Sequence, residues 1–415
     1  MSDAADTGFP FRSALSGVRV ADFTWVLAGP HATKVLADFG AQVIKVEDPT
    51  GRDLARRLPP FPTEERDPDQ AGYYINLNRN KLSLTLDLRK PLGREVALKL
   101  VSISDVVIEN FSAGVMERLG LGYEELVKVR PDVVMVRMAG LGQTGPMRSY
   151  VSYGPIIQAL SGLTYHTGYR DRPPVGIGYS YSDFVAGIHA AFAVLVALHH
   201  RRRTGRGQYI DLSQLETSVS FLGPGLLDWT VNGRVPERAG NRLGYVDAAP
   251  HGVYPCAGED RWCAIAVFTD GEWEAMVRVM GSPAWAREER WATAEGRARQ
   301  ADELDERVAR WTRERPAEEV ARRLQEAGVA ASVVQNARDL IQGDEHLRER
   351  GFYVELEHPT VGRRLFEGTP IKMSDAPGGP RRPGPLLGQD TDYVLRQVLG
   401  LSDDEVTQLV VEEVV

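Results

Sequence analysis

Five short apolar runs, separated by stretches of helical character, constrain this chain more than any other feature. Residues 18–23 (VRVADF), 42–47 (QVIKVE), 82–88 (LSLTLDL), 105–111 (DVVIENF) and 132–138 (DVVMVRM) have the length and branched, apolar content of strands. Between the first two, Gly29 and Pro30 make a turn, Pro30 suits a first helical position, and residues 31–39 read as a helix stopped by Gly40. Pro91 starts another helix that runs to about residue 103. Strands alternating with helices predict an α/β fold with a mostly parallel sheet covered on both faces. Residues 150–182, rich in Gly, Tyr, Ser and Pro, read mainly as loops. An apolar helix follows over about 184–203, stopped by TGRG at 204–207, with one more strand at 209–212.

At 415 residues the chain needs two or three packing units. Its character changes after about residue 225. Residues 250–268 read as two short strands, and 272–328 are Ala- and Arg-rich with helical period, their charge runs being solvated helix faces. A strand-like segment at 331–334 returns the chain to the first unit. The expected division is therefore 1–225 for the large domain, 226–330 for a small inserted domain, and 331–415 for the return with C-terminal helices. Residues 376–388 (APGGPRRPGPLLG) form a connector, a helix lies near 391–399, and Ser402 with Glu405 makes a capping box for a last helix.

A formal net charge of −8 argues against a general nucleic-acid binder. Cys256 and Cys263 make neither a disulfide framework nor a zinc site and read as buried, reduced thiols. The opening MSDAADTGFPFR has no basic start and no apolar core, so it does not read as a secretory signal. The most apolar helical stretch, 184–198, is shorter than a bilayer span and contains His189. These features predict a cytoplasmic protein without a membrane partner.

The first turn after a strand invites a dinucleotide-binding reading, with Glu47 as the acidic residue closing the second strand. The turn reads Ala28-Gly29-Pro30-His31-Ala32, however, and lacks the G-x-G-x-x-G spacing that shapes the backbone for a pyrophosphate. Asp183 is the sharper signal. It follows the Gly/Tyr/Ser-rich stretch 176–182 and opens the apolar helix, which fits an ordinary capping residue. The position equally suits a carboxylate nucleophile: the positive helix end favours the ionised form, nearby amides can stabilise an oxyanion, and the preceding glycines allow close approach. There is no H-E-x-x-H, no G-x-S-x-G and no P-loop, and no metal ligand set is expected. Arg201, Arg202, Arg203 and Arg206 complement the negative end of the same helix.

Seven segments together resemble the class III CoA transferases, the carnitine/bile-acid-inducible, formyl-CoA transferase-like family. They are GVRVADFTWVLAGP at 17–30, FGAQVIKVEDP at 39–49, NRNKLSLTLDLR at 78–89, ENFSAGVMERLGL at 109–121, GLGQTGP at 140–146, SDFVAGIHAAFAVLVALHHRRRTGRGQYIDLSQLE at 182–216 and GQDTDYVLRQVLGL at 388–401. The resemblance implies a Rossmann-like large domain made from both chain ends, a smaller inserted domain, and a homodimer interlocked like chain links, or a heteromer with a homologous subunit. It also implies that Asp183 is the nucleophile, that a CoA thioester is the substrate, and that no cofactor is tightly bound. Val26, Leu27 and Ala28 match positions lining the thioester. Leu86, Arg89, Asn110, Phe111 and Arg118 match CoA contacts, and Tyr73 matches an active-site tyrosine.

Departures from the family patterns narrow the expectation. Formyl-CoA transferases have glutamine at the place of Leu27, lysine at that of Ala139, and a polyglycine loop that 247–260 lacks, which argues against oxalate or formate. The related racemases carry a histidine where this chain reads SYVSYGP at 149–155, and racemisation needs a proton donor and acceptor about one carbon. Transfer is therefore favoured over racemisation, and an acyl-CoA isomerase or an intramolecular CoA transferase on the same fold stays the alternative. SYVSYGP, GIGYSYSD and IDLSQLE look closest to members that use succinyl-CoA with dicarboxylates.

Overall fold

The computed structural model describes residues 13–415; the opening segment MSDAADTGFPFR lies outside the described residues. The first half builds β1 (Arg19–Asp22), α1 (Ala28–Asp38), β2 (Gln42–Glu47), α2 (Gly72–Leu77), β3 (Leu82–Thr85), α3 (Pro91–Ser102) and β4 (Val106–Glu109). It continues with α4 (Val115–Arg118), α5 (Tyr123–Val129), β5 (Val134–Ala139), α6 (Gly154–Leu160), α7 (Leu163–His166), α8 (Tyr181–Thr204), β6 (Gln208–Ser213), α9 (Gln214–Val219) and α10 (Gly223–Asn232). The six strands form one parallel sheet in the order β3-β2-β1-β4-β5-β6. The direction of winding reverses between β1 and β4, and in such sheets ligands bind beyond the carboxyl ends of the strands at that point.

Strand composition explains the core. β4 and β5 are buried along their whole length, so their side chains divide between two layers. Val107 and Met135 join Leu84, Leu100 and the C-terminal residues Val394 and Leu395 on one face. Val106, Ile108, Val134 and Val136 meet α1 and α8 on the other, through Ala28, Ala32, Leu36, Ala186, Ala190 and Val194.

The chain divides into two compact units, one of residues 13–164, 176–235 and 347–415, the other of 165–175 and 236–346. The second holds the antiparallel strands β7 (His251–Pro255), β8 (Trp262–Ala266) and β9 (Ala330–Val333). It also holds α11 (Asp270–Val279), α12 (Ala294–Arg299), α13 (Ala301–Arg313) and α14 (Ala317–Glu326). Trp273, Trp291, Leu304, Val320 and Leu324 make its own core, and both cysteines are free and buried there. The chain then passes α15 (Glu345–Glu349) to a hairpin of β10 (Tyr353–His358) and β11 (Gly362–Glu367), ending with α16 (Thr391–Tyr393) and α17 (Asp403–Val411). Ser402 and Glu405 do form the capping box of α17.

Four readings differ from the structure. The strand expected at 331–334 to return the chain to the first unit is β9, which pairs with β8 inside the second unit, and that unit comprises 165–175 and 236–346 rather than 226–330. The stretch 150–182 contains α6 and α7 rather than loops alone. The hairpin of β10 and β11 was not anticipated. Helix α8 has 24 residues, not the shorter apolar core expected, and by length and composition it could cross a bilayer; half of its most apolar window is buried within the protein.

Candidate active site

The turn after β1 rests on buried charges. Asp22, at the end of β1, accepts from the Thr24 amide (2.9 Å), the Thr33 hydroxyl (2.7 Å) and Lys81 Nζ (3.1 Å). Lys81 also donates to the Pro30 carbonyl (3.1 Å) and Asn78 Oδ1 (2.8 Å). Lys45 of β2 donates to the Thr24 carbonyl (2.6 Å) and pairs with Asp53 (3.2 Å). Every one of these four charged side chains is buried. Isolated buried charges are costly, and here each has an opposite charge and further hydrogen bonds.

That frame holds a strained turn. Val26 has φ of 65°, a left-handed conformation that a β-branched residue adopts only under constraint. Asp53 Oδ1 accepts from the Val26 amide (3.0 Å) and the Ala55 amide (2.9 Å). From across the winding reversal, Asn110 grips Trp25 at both polar groups, accepting from its amide (2.7 Å) and donating to its carbonyl (2.8 Å). Phe111 packs edge-on against Trp25, ring centres 5.5 Å apart.

Helix α8 lies against α1 because small residues face each other. A Cβ on Gly187 would come within 2.8 Å of the Ala28 carbonyl and 2.9 Å of the His31 ring. His31 in turn meets Phe184 edge-on at 4.9 Å, and Tyr179 stacks on Phe184 at 5.4 Å. Burial, aided by Lys34 and Lys81, pushes His31 down to about 3, so its ring is neutral. The first turn of α8 is thereby fixed beside the strained turn.

Asp183 sits in that turn, third after the cap residue Ser180. Burial pushes its carboxyl up to about 6, against hydrogen bonds from Ser180 and its own backbone. The helix end therefore does not dominate, as the sequence reading had it. A helix end contributes roughly 0.3–1 kcal/mol at an exposed site, whereas a rise from 3.8 to about 6 corresponds to about 3 kcal/mol. Above pH 6 the carboxylate is still mostly ionised. Tyr73, on α2, faces the same place: burial raises its phenol well above the usual range, and the charges of Asp183, Tyr179 and Asp53 raise it further.

The other sequence candidates fall into distinct places. Val26, Leu27 and Ala28 form the turn that meets α8, with Leu27 and Ala28 buried. Leu86 is enclosed in the core beyond β3. Arg89 is exposed and forks onto Asp87 (2.7 Å to each oxygen). Arg118 is exposed on α4, next to Glu117, whose carboxylate pairs with buried Arg137. All follow the carboxyl ends of β1, β3 or β4. Glu47, the acidic residue closing the second strand, is buried and engaged by Arg56 (2.8 and 2.9 Å) and Tyr74 (2.5 Å). Asp53, His31, Gly154 and Ser180 were not singled out from sequence; only the acidic Asp53 in a polar loop carried any residue-type signal.

The arrangement is a parallel doubly wound sheet with a half-buried carboxylate near its point of reversal, the place where such sheets bind ligands. The signature of CoA-transferase family III matches residues 15–391. The chain is 36% identical over 401 residues to the succinyl-CoA–D-citramalate CoA-transferase of Chloroflexus aurantiacus, covering 97% of this chain and 98% of that one. It is 34% identical over 418 residues to the formyl-CoA:oxalate CoA-transferase of Bradyrhizobium sp., covering 95% and 96%. A crystal structure of a CAIB/BAIF family protein from Brucella suis superposes with a TM-score of 0.85 at 31% identity, covering 93% of this chain and 99% of that one. The chain belongs to CoA-transferase family III and is a transferase of CoA.

Two outcomes follow from these charges. Asp53→Ala leaves Lys45 without its partner and frees the Val26 amide, and is expected to lower unfolding free energy by about 3–5 kcal/mol; adding Lys45→Met should restore part of it, as read by thermal or urea unfolding. Because folding tightens proton binding at Asp183, its contribution is best below the ordinary aspartate pKa and worsens as pH climbs to about 6. Asp183→Asn should therefore stabilise the protein by on the order of 2 kcal/mol at pH 8 and not at pH 3.5.

Proposed function

We propose that this chain moves CoA from an acyl-CoA donor, succinyl-CoA foremost, to a carboxylic or dicarboxylic acid through an aspartyl-CoA thioester on Asp183. The observation that carries the reading is the Asp183 carboxylate itself: half-buried, ionisable near neutrality, and placed in the first turn of α8 beside the turn at Val26–Ala28. Burial strips water from the oxygen, which strengthens it as a nucleophile.

The steps conserve the activated acyl bond. Asp183 attacks the donor thioester carbonyl, forming a mixed anhydride and releasing CoA thiolate. The thiolate attacks the aspartyl carbonyl, giving the aspartyl-CoA thioester and the free donor acid, which leaves with the bridging oxygen. The acceptor carboxylate then attacks that thioester, and the released thiolate takes the acceptor acyl group, regenerating Asp183. Val26, Leu27 and Ala28 would line the thioester and Tyr73 the acyl group. Asn110 and Phe111 would act through the shape they give the Trp25 turn, and Leu86, with the Arg89 and Arg118 cations, would border the nucleotide. A succinyl-CoA–D-citramalate relative at 36% identity supports a dicarboxylate acceptor.

We also propose that the active form is a dimer of two copies. The outward stripe of α8 leaves Ile188 50%, Phe192 65% and Val196 50% exposed, and Trp229 on α10 58%. Apolar side chains at this spacing on a long helix fit a partner surface.

Asp183→Ala should lower transfer at least about 10⁴-fold while CoA binding persists. Incubation of the native protein with succinyl-CoA should attach CoA at Asp183, detected by peptide mass and released by hydroxylamine; an adduct at another residue contradicts the assignment. Labelled CoA should move to a second acid, where a racemase would exchange only an α-proton. Phe192→Glu should shift the sedimenting species from dimer to monomer, and an unchanged mass would remove the proposed interface.

A further inference from the structure

Gly154, the first residue of α6, has a φ outside the left-handed region, so its backbone conformation does not call for glycine. A glycine at a helix end otherwise costs conformational entropy. Pro155 follows and offers one local reason, since a proline ring crowds the Cβ of the residue before it. The same Gly-Pro pair opens α10 at Gly223, where nothing lies within 4 Å of the missing Cβ. At Gly154 the space is occupied. A Cβ there would overlap Asp183 Oδ2 and come within 2.9 Å of Ser180 Oγ and 3.0 Å of Ser180 Cβ. All three nearest atoms belong to the first turn of α8.

The two segments are also joined by hydrogen bonds. Ser182 Oγ donates to the Gly154 carbonyl at 3.0 Å, and the Gln158 side-chain amide donates to the Tyr179 carbonyl at 2.8 Å. We propose that Gly154 is a positioning residue for Asp183: the absent side chain of Gly154 is the berth of the carboxylate oxygen. The proposal rests on Asp183 being the nucleophile. A side-chain oxygen is free to swing aside, so a methyl at Gly154 would displace the carboxylate far more readily than it would unfold the protein. Misplacing a reacting atom by about 1 Å can cost on the order of 10²-fold in rate.

The experiment compares Pro155→Ala with the double variant Gly154→Ala/Pro155→Ala, which removes the proline's own demand for glycine. With succinyl-CoA as donor, the double variant should lose about 10²-fold in kcat relative to Pro155→Ala, with KM for the thioester and melting temperature little changed. Equal kcat in the two overturns the role of Gly154. If instead Asp183→Ala still transfers CoA, the reading beneath the proposal fails, whatever Gly154→Ala does.

Discussion

Buried ion pairs beneath the turn after β1 hold the rest of the site in place. Asp22 with Lys81, and Lys45 with Asp53, are fully enclosed there. Their hydrogen bonds end on backbone atoms of the turn: the Thr24 and Pro30 carbonyls and the Val26 amide. That is how a valine is kept at φ of 65°. The turn starts α1, α1 offers Ala28 and His31 to Gly187, and α8 then carries Asp183 to the point of winding reversal. Stability and chemistry meet in the same four charges.

The competition at Asp183 is one of magnitudes. The helix end favours the charged carboxylate by a modest amount, and burial disfavours it by more, leaving the group poised near 6. A carboxylate so placed is ionised at neutral pH and poorly solvated. The folded state bears that cost because α8 is secured by apolar contacts along its inner face, from Ala186 to Ala197.

Much of the fold was legible in the sequence, because buried parallel strands are dense in Val and Ile and their connecting helices begin and end with Pro and Gly. The strand order was not, since nothing local in residues 18–23 says that 105–111 will lie beside them. The hairpin of β10 and β11 was hard to see because only Val354 to Glu357 alternates apolar and polar residues, while GRRLFE at 362–367 sets Arg beside Arg and Leu beside Phe. Asp183 was legible as a helix-opening acid. Gly154 was not, because a missing side chain matters only for what occupies its place in three dimensions. Asn110 was recognisable as a position through family resemblance, but its grip on Trp25 is visible only once β1 and β4 are adjacent.

The central claim is that CoA passes through the Asp183 carboxyl group, and an oxygen label tests it most directly. In the proposed sequence the acceptor carboxylate leaves one of its oxygens on Asp183 when its acyl group departs as the CoA thioester, and a later turnover hands that oxygen to the donor acid. Turnover of succinyl-CoA with an acceptor acid labelled with heavy oxygen in its carboxylates, followed by digestion and mass analysis, should place label in the Asp183 carboxyl and in the released succinate. Active transfer with no label in Asp183 would contradict the account.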